Sequence, residues 1–391
     1  MAERTPPRPG TILVARRGAL GMNAAQLRRY SRHLLIPEVG VTGQERLNRS
    51  AVLVVGAGGL GSPALQYLAA AGVGRIGIVD GDVVDETNLQ RQTLFGLGDV
   101  GRRKAAVASQ RLHEANPSIA IEAVSARMDA RNARALIRSY DCVLDCTDRF
   151  ETRYLINDAC VLEKRPNVYG SIFRFDGQVS VFAPGGPCYR CLFPEKPPSG
   201  SVPSCAEGGV LGALAGVVGA WQAGEALKLL LRAGEPLIGR LMLIDTLRAH
   251  STEVRFERDA GCAACGDRPT ILDMEAVAYG DGETPALPND IAEIDADALE
   301  EALRGATLLD VREPHEAVLG TIEGAIRIPA SQLEARMFEL DSATWYVVAC
   351  RVGVKSSWAA HRLREAGFGR LMHLRGGLLT YAARHEEFAF F

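Results

Sequence analysis

Apolar and polar positions along this chain fall into two successive series of short apolar runs separated by helical patterns. In the first, Ala51-Val-Leu-Val-Val55, Arg75-Ile-Gly-Ile-Val79 and Asp141-Cys-Val-Leu-Asp145 are β-branched or apolar runs closed by glycine or acidic residues, the form expected of buried strands in an open α/β sheet. Ala25-Gln-Leu-Arg-Arg-Tyr-Ser-Arg-His-Leu-Leu35 has helical spacing and stops at Pro37, and Gly101-Arg-Arg-Lys104 opens another helix. The second series, Ala306 to Glu313, Gly324 to Pro329 and Trp345 to Cys350, alternates with helical stretches, the last from Ser357 to Ala366. Asp267 to Asn289 is rich in Pro, Gly and Asp and reads as a linker. The prediction is a tail over 1–22, a domain over 23–266, the linker over 267–289 and a second domain over 290–391. The fold class is α/β, a Rossmann-like doubly wound domain followed by a smaller α/β domain.

Gly208 to Leu231 is the longest apolar stretch. Glu225 and Lys228 interrupt it at helical spacing, leaving roughly sixteen uncharged residues, short of the usual membrane span of about twenty. A buried or dimer-interface helix is expected, with no membrane. The 391 residues carry a formal charge of −3 with both signs interspersed, which leaves no basic footprint for nucleic acid. Thr11-Ile-Leu-Val14 is too short for a secretory segment; a cytoplasmic protein is expected, its organised sequence starting after Met22. Nine cysteines in such a chain point to metal and thiol chemistry over a disulfide framework.

Candidate chemistry begins where the first strand meets Gly56-Ala-Gly58-Gly59-Leu-Gly61-Ser62. These glycines tolerate positive φ and let backbone amides approach a phosphate, with a helix N-terminus following. Asp80, just past the next strand, is placed to accept ribose hydroxyls; NAD and ATP both satisfy this much. Asp82, Asn88, Arg91, Gln92 and Lys104 crowd the same strand ends, where Arg91 and Lys104 can neutralise polyphosphate and Asn88 position it. The third run continues through Cys146 and Thr147 to Asp148, a carboxylate that either caps the next helix or holds Mg²⁺ against phosphate oxygens.

Cys188-x-x-Cys191 and Cys262-x-x-Cys265 share a spacing that lets two thiolates bite one tetrahedral Zn²⁺, so together they form a closed structural site. Cys205 lies in a Pro-, Gly- and Ser-rich loop before the apolar helix, as a nucleophile with a lowered pKa or as a small buried thiol. Cys350-Arg351-Val-Gly353-Val-Lys355-Ser356 precedes an amphipathic helix. Consecutive amides there form a nest that, with the helix dipole, Arg351 and Lys355, suits an anionic sulfur such as a thiolate or persulfide.

Gly-x-Gly-Gly-x-Gly, Asp80, Asn88-Leu-Gln-Arg91-Gln92, Lys104 and Cys146-Thr-Asp148 resemble the ubiquitin-activating superfamily, specifically its bacterial MoeB- and ThiF-type adenylyltransferases, over about residues 23 to 266. The resemblance implies ATP and Mg²⁺ as cofactors and adenylation of the C-terminal Gly-Gly of a small ubiquitin-like sulfur carrier. It implies Asp80 on the ribose, Asn88, Arg91, Gln92 and Lys104 on the phosphates, Asp148 on magnesium, zinc tying the two cysteine pairs, and a homodimer in which Arg32 reaches the partner subunit's ATP. Related activating enzymes place a sulfur- or acyl-accepting cysteine where Cys205 stands. Asp310-Val-Arg312-Glu313, the Cys350 loop and Leu374-Arg-Gly-Gly377 resemble a rhodanese-type sulfurtransferase, with Val352 and Lys355 departing from its commonest residues. That likeness implies a persulfide on Cys350, loaded by a cysteine desulfurase or thiosulfate. An NAD-dependent oxidoreductase would use the same glycines and Asp80 but gives no role to Arg91, Lys104 or the Cys350 loop; a non-catalytic carrier-binding scaffold is the other alternative.

Overall fold

The computed structural model describes residues 22–196, 208–275, 277, 279, 291–317 and 320–385. They form two compact units, one built from residues up to Glu195 and from Val210 to Val277, the other from 291 onward.

The first unit is a sheet of β1 (Ala51–Val55), β2 (Arg75–Val79), β3 (Ala120–Val124), β4 (Cys142–Asp145), β5 (Asn167–Phe173), β6 (Asp176–Phe182), β7 (Arg240–Asp245) and β8 (His250–Arg255). The order is β3-β2-β1-β4-β5-β6-β7-β8. Strands β1 to β5 pair in parallel and β6 to β8 extend the sheet antiparallel, so the doubly wound half expected from the sequence carries a three-strand extension. Every residue of β1 is buried, as befits a central strand covered on both faces. Val52 and Val54 pack with Leu65 and Leu68 of helix Gly61–Ala71, Leu112 of helix Lys104–Ala115, and Leu214 and Val218 of helix Gly212–Leu231. Helix Phe150–Leu162 packs on β4 and β5 with its own buried Leu155, Ile156 and Ala159.

Helix Gly212–Leu231 passes a length-and-composition test for a membrane span, with half of its most apolar window buried inside the protein. Its two charges explain themselves: Glu225, almost fully buried, accepts from Lys228 Nζ at 2.7 Å and from the Leu237 backbone N–H at 2.9 Å. The expected N-terminal helix is instead two short pieces, Ala24–Arg29 and Ser31–Leu34. Asn23 and Gln26 close a capping box at its start, and the chain breaks at Tyr30, whose buried hydroxyl accepts from Asn116 Nδ2 at 3.0 Å.

The second unit is an all-parallel sheet of β9 (Ala292–Ile294), β10 (Thr307–Asp310), β11 (Ile326–Arg327), β12 (Tyr346–Ala349) and β13 (Leu371–Leu374), ordered β11-β10-β12-β13-β9. Strand β12, buried throughout, delivers Cys350. Helix Val354–Glu365 follows, three residues earlier than the sequence pattern predicts, because Gly353 at φ +91° turns the chain straight into it.

Candidate functional site

The parallel strands β1, β2 and β4 end side by side, and the predicted polar residues gather at that edge. Gly56 sits at φ +93°, and a Cβ there would lie 2.8 Å from the Cys146 carbonyl oxygen; at Gly61 a Cβ would run into the Gly56 carbonyl. These two glycines let the loop fold back against β4. Asp80 then fixes the loop. One carboxylate oxygen accepts the Ala57 N–H at 2.8 Å and the other the Asp82 N–H at 2.8 Å. Burial pushes the Asp80 carboxyl above its ordinary range, with the two amides and Lys104 pulling it back. Its first role is therefore to hold backbone, and each oxygen keeps a second lone pair that a ribose hydroxyl can use.

Around this loop stand the residues of the Asp82–Lys104 segment. Lys104 is buried, its Nζ 3.6 Å from the exposed Asp82, which Arg127 also approaches at 3.5 Å. Arg91 donates to the Thr87 carbonyl at 3.2 Å and flanks Gly59, while Gln92 flanks Gly58. Asn88 ends a short 3-10 turn whose start is capped by Asp85. Gln92 places its Nε2 against Gly58, and its Oε1 is buried with no hydrogen-bond partner among the described residues, an acceptor left to be satisfied. Two cations and the amides of a glycine loop together make an anion cradle.

Asp148 is exposed, and the helix after it takes Arg149 as its N-cap without a side-chain hydrogen bond; the capping alternative falls. What holds Asp148 in place went unread in the sequence. Asp145, fully buried, accepts from the Thr147 N–H at 3.0 Å and from Thr147 Oγ1 at 2.7 Å. Arg153 Nη2 donates to the Thr147 carbonyl at 3.3 Å and to Ser171 Oγ at 3.0 Å. Gln222, from the long apolar helix, donates to the carbonyls of Asp145 at 2.7 Å and Val168 at 3.1 Å. Burial pushes the Asp145 carboxyl up, the Arg153 charge opposing it. A glutamine inside an apolar helix was the one available signal. Arg32 is exposed. Cys205 lies outside the described residues.

The four cysteines of the two pairs come together although about 70 residues of sequence lie between the pairs. Their sulfurs all lie within 4.8 Å of one another, with Cys188 to Cys262 at 3.6 Å, Cys188 to Cys191 at 3.9 Å and Cys191 to Cys265 at 3.3 Å. A tetrahedron with Zn–S bonds of about 2.3 Å has S···S edges of roughly 3.8 Å, so the set fits zinc. Burial, and then the charge of Cys191, pushes the Cys188 thiol well up, so four thiolates this close call for a cation among them. The Cys191 sulfur also accepts the Asp259 N–H at 3.4 Å, the kind of surrounding bond that orients a ligand.

In the second unit the Cys350 sulfur is buried and accepts the Gly353 N–H at 3.1 Å, with Ser356 Oγ 3.6 Å away and itself donating to the Gly353 carbonyl. The amide nest and the helix N-terminus converge on sulfur. Lys355 does not leave its charge for the sulfur: in the first turn of the helix it reaches the buried Glu316 at 2.9 Å. The Arg351 Nε is buried without a partner among the described residues. Asp310 and Arg312, both buried, form a two-pronged pair, Nε to Oδ1 at 2.9 Å and Nη2 to Oδ2 at 2.6 Å, and Arg312 also donates to the Gly320 carbonyl. Glu313 accepts from Ser331 Oγ at 2.8 Å. That motif staples the loops around the cradle. Gly376 and Gly377 stand at φ +71° and +67°, and the amides of Leu378 and Leu379 donate to the carbonyls of Cys350 and Arg351, so the Gly-Gly step braces the cysteine loop from behind.

The ThiF family model matches residues 30–264, and the rhodanese-like domain model matches residues 295–384. The chain is 43% identical over 375 residues, 94% of its length and 96% of the relative's, to the probable adenylyltransferase/sulfurtransferase MoeZ of Mycobacterium tuberculosis. It is 52% identical over 260 residues, 64% of its length and 96% of the relative's, to the sulfur carrier protein adenylyltransferase of Thermus thermophilus. Over 327 residues, 81% of this chain and 72% of the relative, it is 44% identical to the adenylyltransferase and sulfurtransferase MOCS3 of Bos taurus. Among solved structures, E. coli MccB with MccA-N7isoASN shares the fold at a TM-score of 0.56 and 24% identity, covering 61% of this chain and 74% of that one.

Proposed function

The chain belongs to the ThiF family and carries a rhodanese-like domain behind it, and from that premise we propose that it adenylates, then sulfurates, the C-terminal Gly-Gly of a small ubiquitin-like sulfur carrier. The observation that carries this reading is one polypeptide with two different anion cradles: the glycine loop tied to Asp80 and the Cys350 sulfur under the Gly353 amide.

In the first step a carboxylate oxygen of the carrier attacks the α-phosphorus of ATP. A C–O–P bond forms, the bond to the β-phosphate breaks, and pyrophosphate leaves. Asp80 orients the ribose; Arg91, Lys104, Asn88, Gln92 and the glycine amides offset charge that builds on the phosphate oxygens. Asp148 would hold a magnesium ion, which when bound would neutralise phosphate charge. In the second step a persulfide on Cys350, loaded by a persulfide or thiosulfate donor, attacks the acyl carbon and AMP leaves. The acyl disulfide is then opened by a second thiol attacking the Cys350 sulfur; Cys205 is our candidate, an external thiol later reducing the resulting disulfide. The Cys188/Cys191/Cys262/Cys265 site is structural zinc and takes part in no bond change. The reading has the enzyme working in the cytoplasm as a homodimer, with the exposed Arg32 serving the partner subunit's nucleotide.

The test pairs carrier-dependent ATP–pyrophosphate exchange with intact-mass detection of thiocarboxylate. Cys350→Ala should keep exchange and lose sulfuration, and Asp148→Ala should lose both. Normal sulfuration by the Cys350→Ala chain would refute the division of roles.

A further inference from the structure

Strand register separates the first unit into two edges. The nucleotide loop stands where β1, β2 and β4 end. Where β5 begins the chain arrives through Lys164 and Arg165, and Asn167 pairs with Phe182 at the end of antiparallel β6. At this opposite edge lies a cavity of about 500 Å³, which the adenylation chemistry does not use. It is within the size range of small-molecule sites.

Its lining carries the cations Lys164, Arg165 and Arg258 but no carboxylate: among the described residues no aspartate or glutamate contributes to the wall. Arg258 is engaged: it donates to the Cys265 carbonyl at 2.9 Å and to Asp267 at 2.8 Å, and the sulfurs of Cys265 and Cys191 lie in its field. It serves as a counter-charge for the cysteine cluster. Lys164 and Arg165 do not. Neither forms an ion pair among the described residues, and the neighbouring Glu163 is taken by Arg134 and Arg138. Arg165 donates through one Nη to the Arg138 carbonyl at 2.8 Å, and its Nε is buried with no partner among the described residues. Lys164 stands at φ +53°, just past the end of helix Phe150–Leu162, a left-handed position where glycine is the ordinary residue and a side chain is held at a cost. The rest of the wall combines the apolar Phe182, Val161, Pro184 and Pro269 with the polar Asn157 and with Cys188 and Cys265 of the metal site.

We propose that this cavity binds a small amphipathic anion, its phosphate, sulfate or carboxylate group against Lys164 and Arg165 and an apolar body of about one ring against Phe182, Val161 and the prolines. Two adjacent cations in a wall with no carboxylate among the described residues, one with a buried N–H unsatisfied among them, specify the charged end; apolar side chains along the same wall specify the rest.

The probe is phenyl phosphate, titrated calorimetrically into the full zinc-loaded chain with the nucleotide site saturated by a non-hydrolysable ATP analogue; inorganic phosphate is the companion probe. The expected result is one site per chain, with a low-millimolar or tighter Kd as befits a fragment-sized ligand, and at least tenfold weaker binding of inorganic phosphate. Lys164→Gly suits the backbone at this position, so it should melt no lower than the wild type and keep its zinc while binding phenyl phosphate at least tenfold more weakly. Arg165→Gln should weaken it likewise. Absence of saturable binding, wild-type affinity in both variants, or equal affinity for the two probes would overturn the proposal.

Discussion

Three glycines of the second unit share a left-handed backbone but differ in what a methyl group would meet, and they isolate the brace behind Cys350. Gly367 at φ +94° has open space, so Gly367→Ala should cost only the positive-φ penalty, about 1–2 kcal/mol. At Gly376, φ +71°, the new methyl meets the Thr380 side chain, which can rotate after giving up its 2.9 Å bond to the Gly376 carbonyl; the added cost is about 1 kcal/mol. At Gly377, φ +67°, the methyl would lie 2.5 Å from the carbonyl oxygens of both Cys350 and Arg351. Backbone cannot swing aside, so overpacking adds about 1–3 kcal/mol, and relief requires moving the segment that carries the sulfur. A displacement of about 1 Å at a reacting atom costs roughly a hundredfold in rate. The assay is sulfur transfer from thiosulfate to cyanide by the full chain, read beside urea-denaturation midpoints and carrier-dependent pyrophosphate exchange. Gly377→Ala should lose most sulfur transfer with exchange unchanged, and Gly367→Ala should keep both. If Gly377→Ala transfers sulfur normally and is no less stable than Gly367→Ala, the bracing argument is wrong.

Two further outcomes follow from the first unit. The Asp145 carboxyl is held up by burial, so its ionisation opposes folding: the wild type loses stability as pH rises from the ordinary carboxylate range through the raised folded value and then levels off. Asp145→Asn keeps an acceptor for Thr147, so its stability relative to wild type, measured by denaturation at a series of pH values, should grow over that window; a difference independent of pH would discount the buried charge. The purified chain should carry one zinc per molecule by elemental analysis, and Cys188→Ser should lose the metal and destabilise the domain, without any zinc-dependent step in exchange kinetics of whatever remains folded. Full retention of zinc in that variant would refute the four-sulfur site.

Much of the geometry around the glycine loop could be read along the chain because its requirements are local. A glycine that must sit at φ +93° beneath a neighbouring carbonyl can hardly be another residue, and an acid just past a strand end lands at the sheet edge whatever the rest of the fold does. The network behind Asp148 was not legible: Asp145, Arg153, Ser171 and Gln222 come from four elements and meet only once β4, β5 and the long apolar helix are stacked. Lys355 shows the same limit in a single residue. Its position suggests a cation for sulfur, yet Glu316, 39 residues away in sequence, holds it.

By itself, then, the amino-acid order determined what depends on a few neighbouring residues: the strands and their glycine turns, the Cys-x-x-Cys bite, the amide nest around Cys350, and the separation into two α/β domains. Tertiary structure decided which distant groups share a point in space. It brought two cysteine pairs within 4.8 Å, turned Asp80 into a tether for the glycine loop, and left Lys164 and Arg165 lining a cavity with no carboxylate among the described residues to answer them. The reason is range: backbone sterics and helical or strand period act over a few residues, whereas burial and pairing of charge depend on packing between elements far apart in the chain.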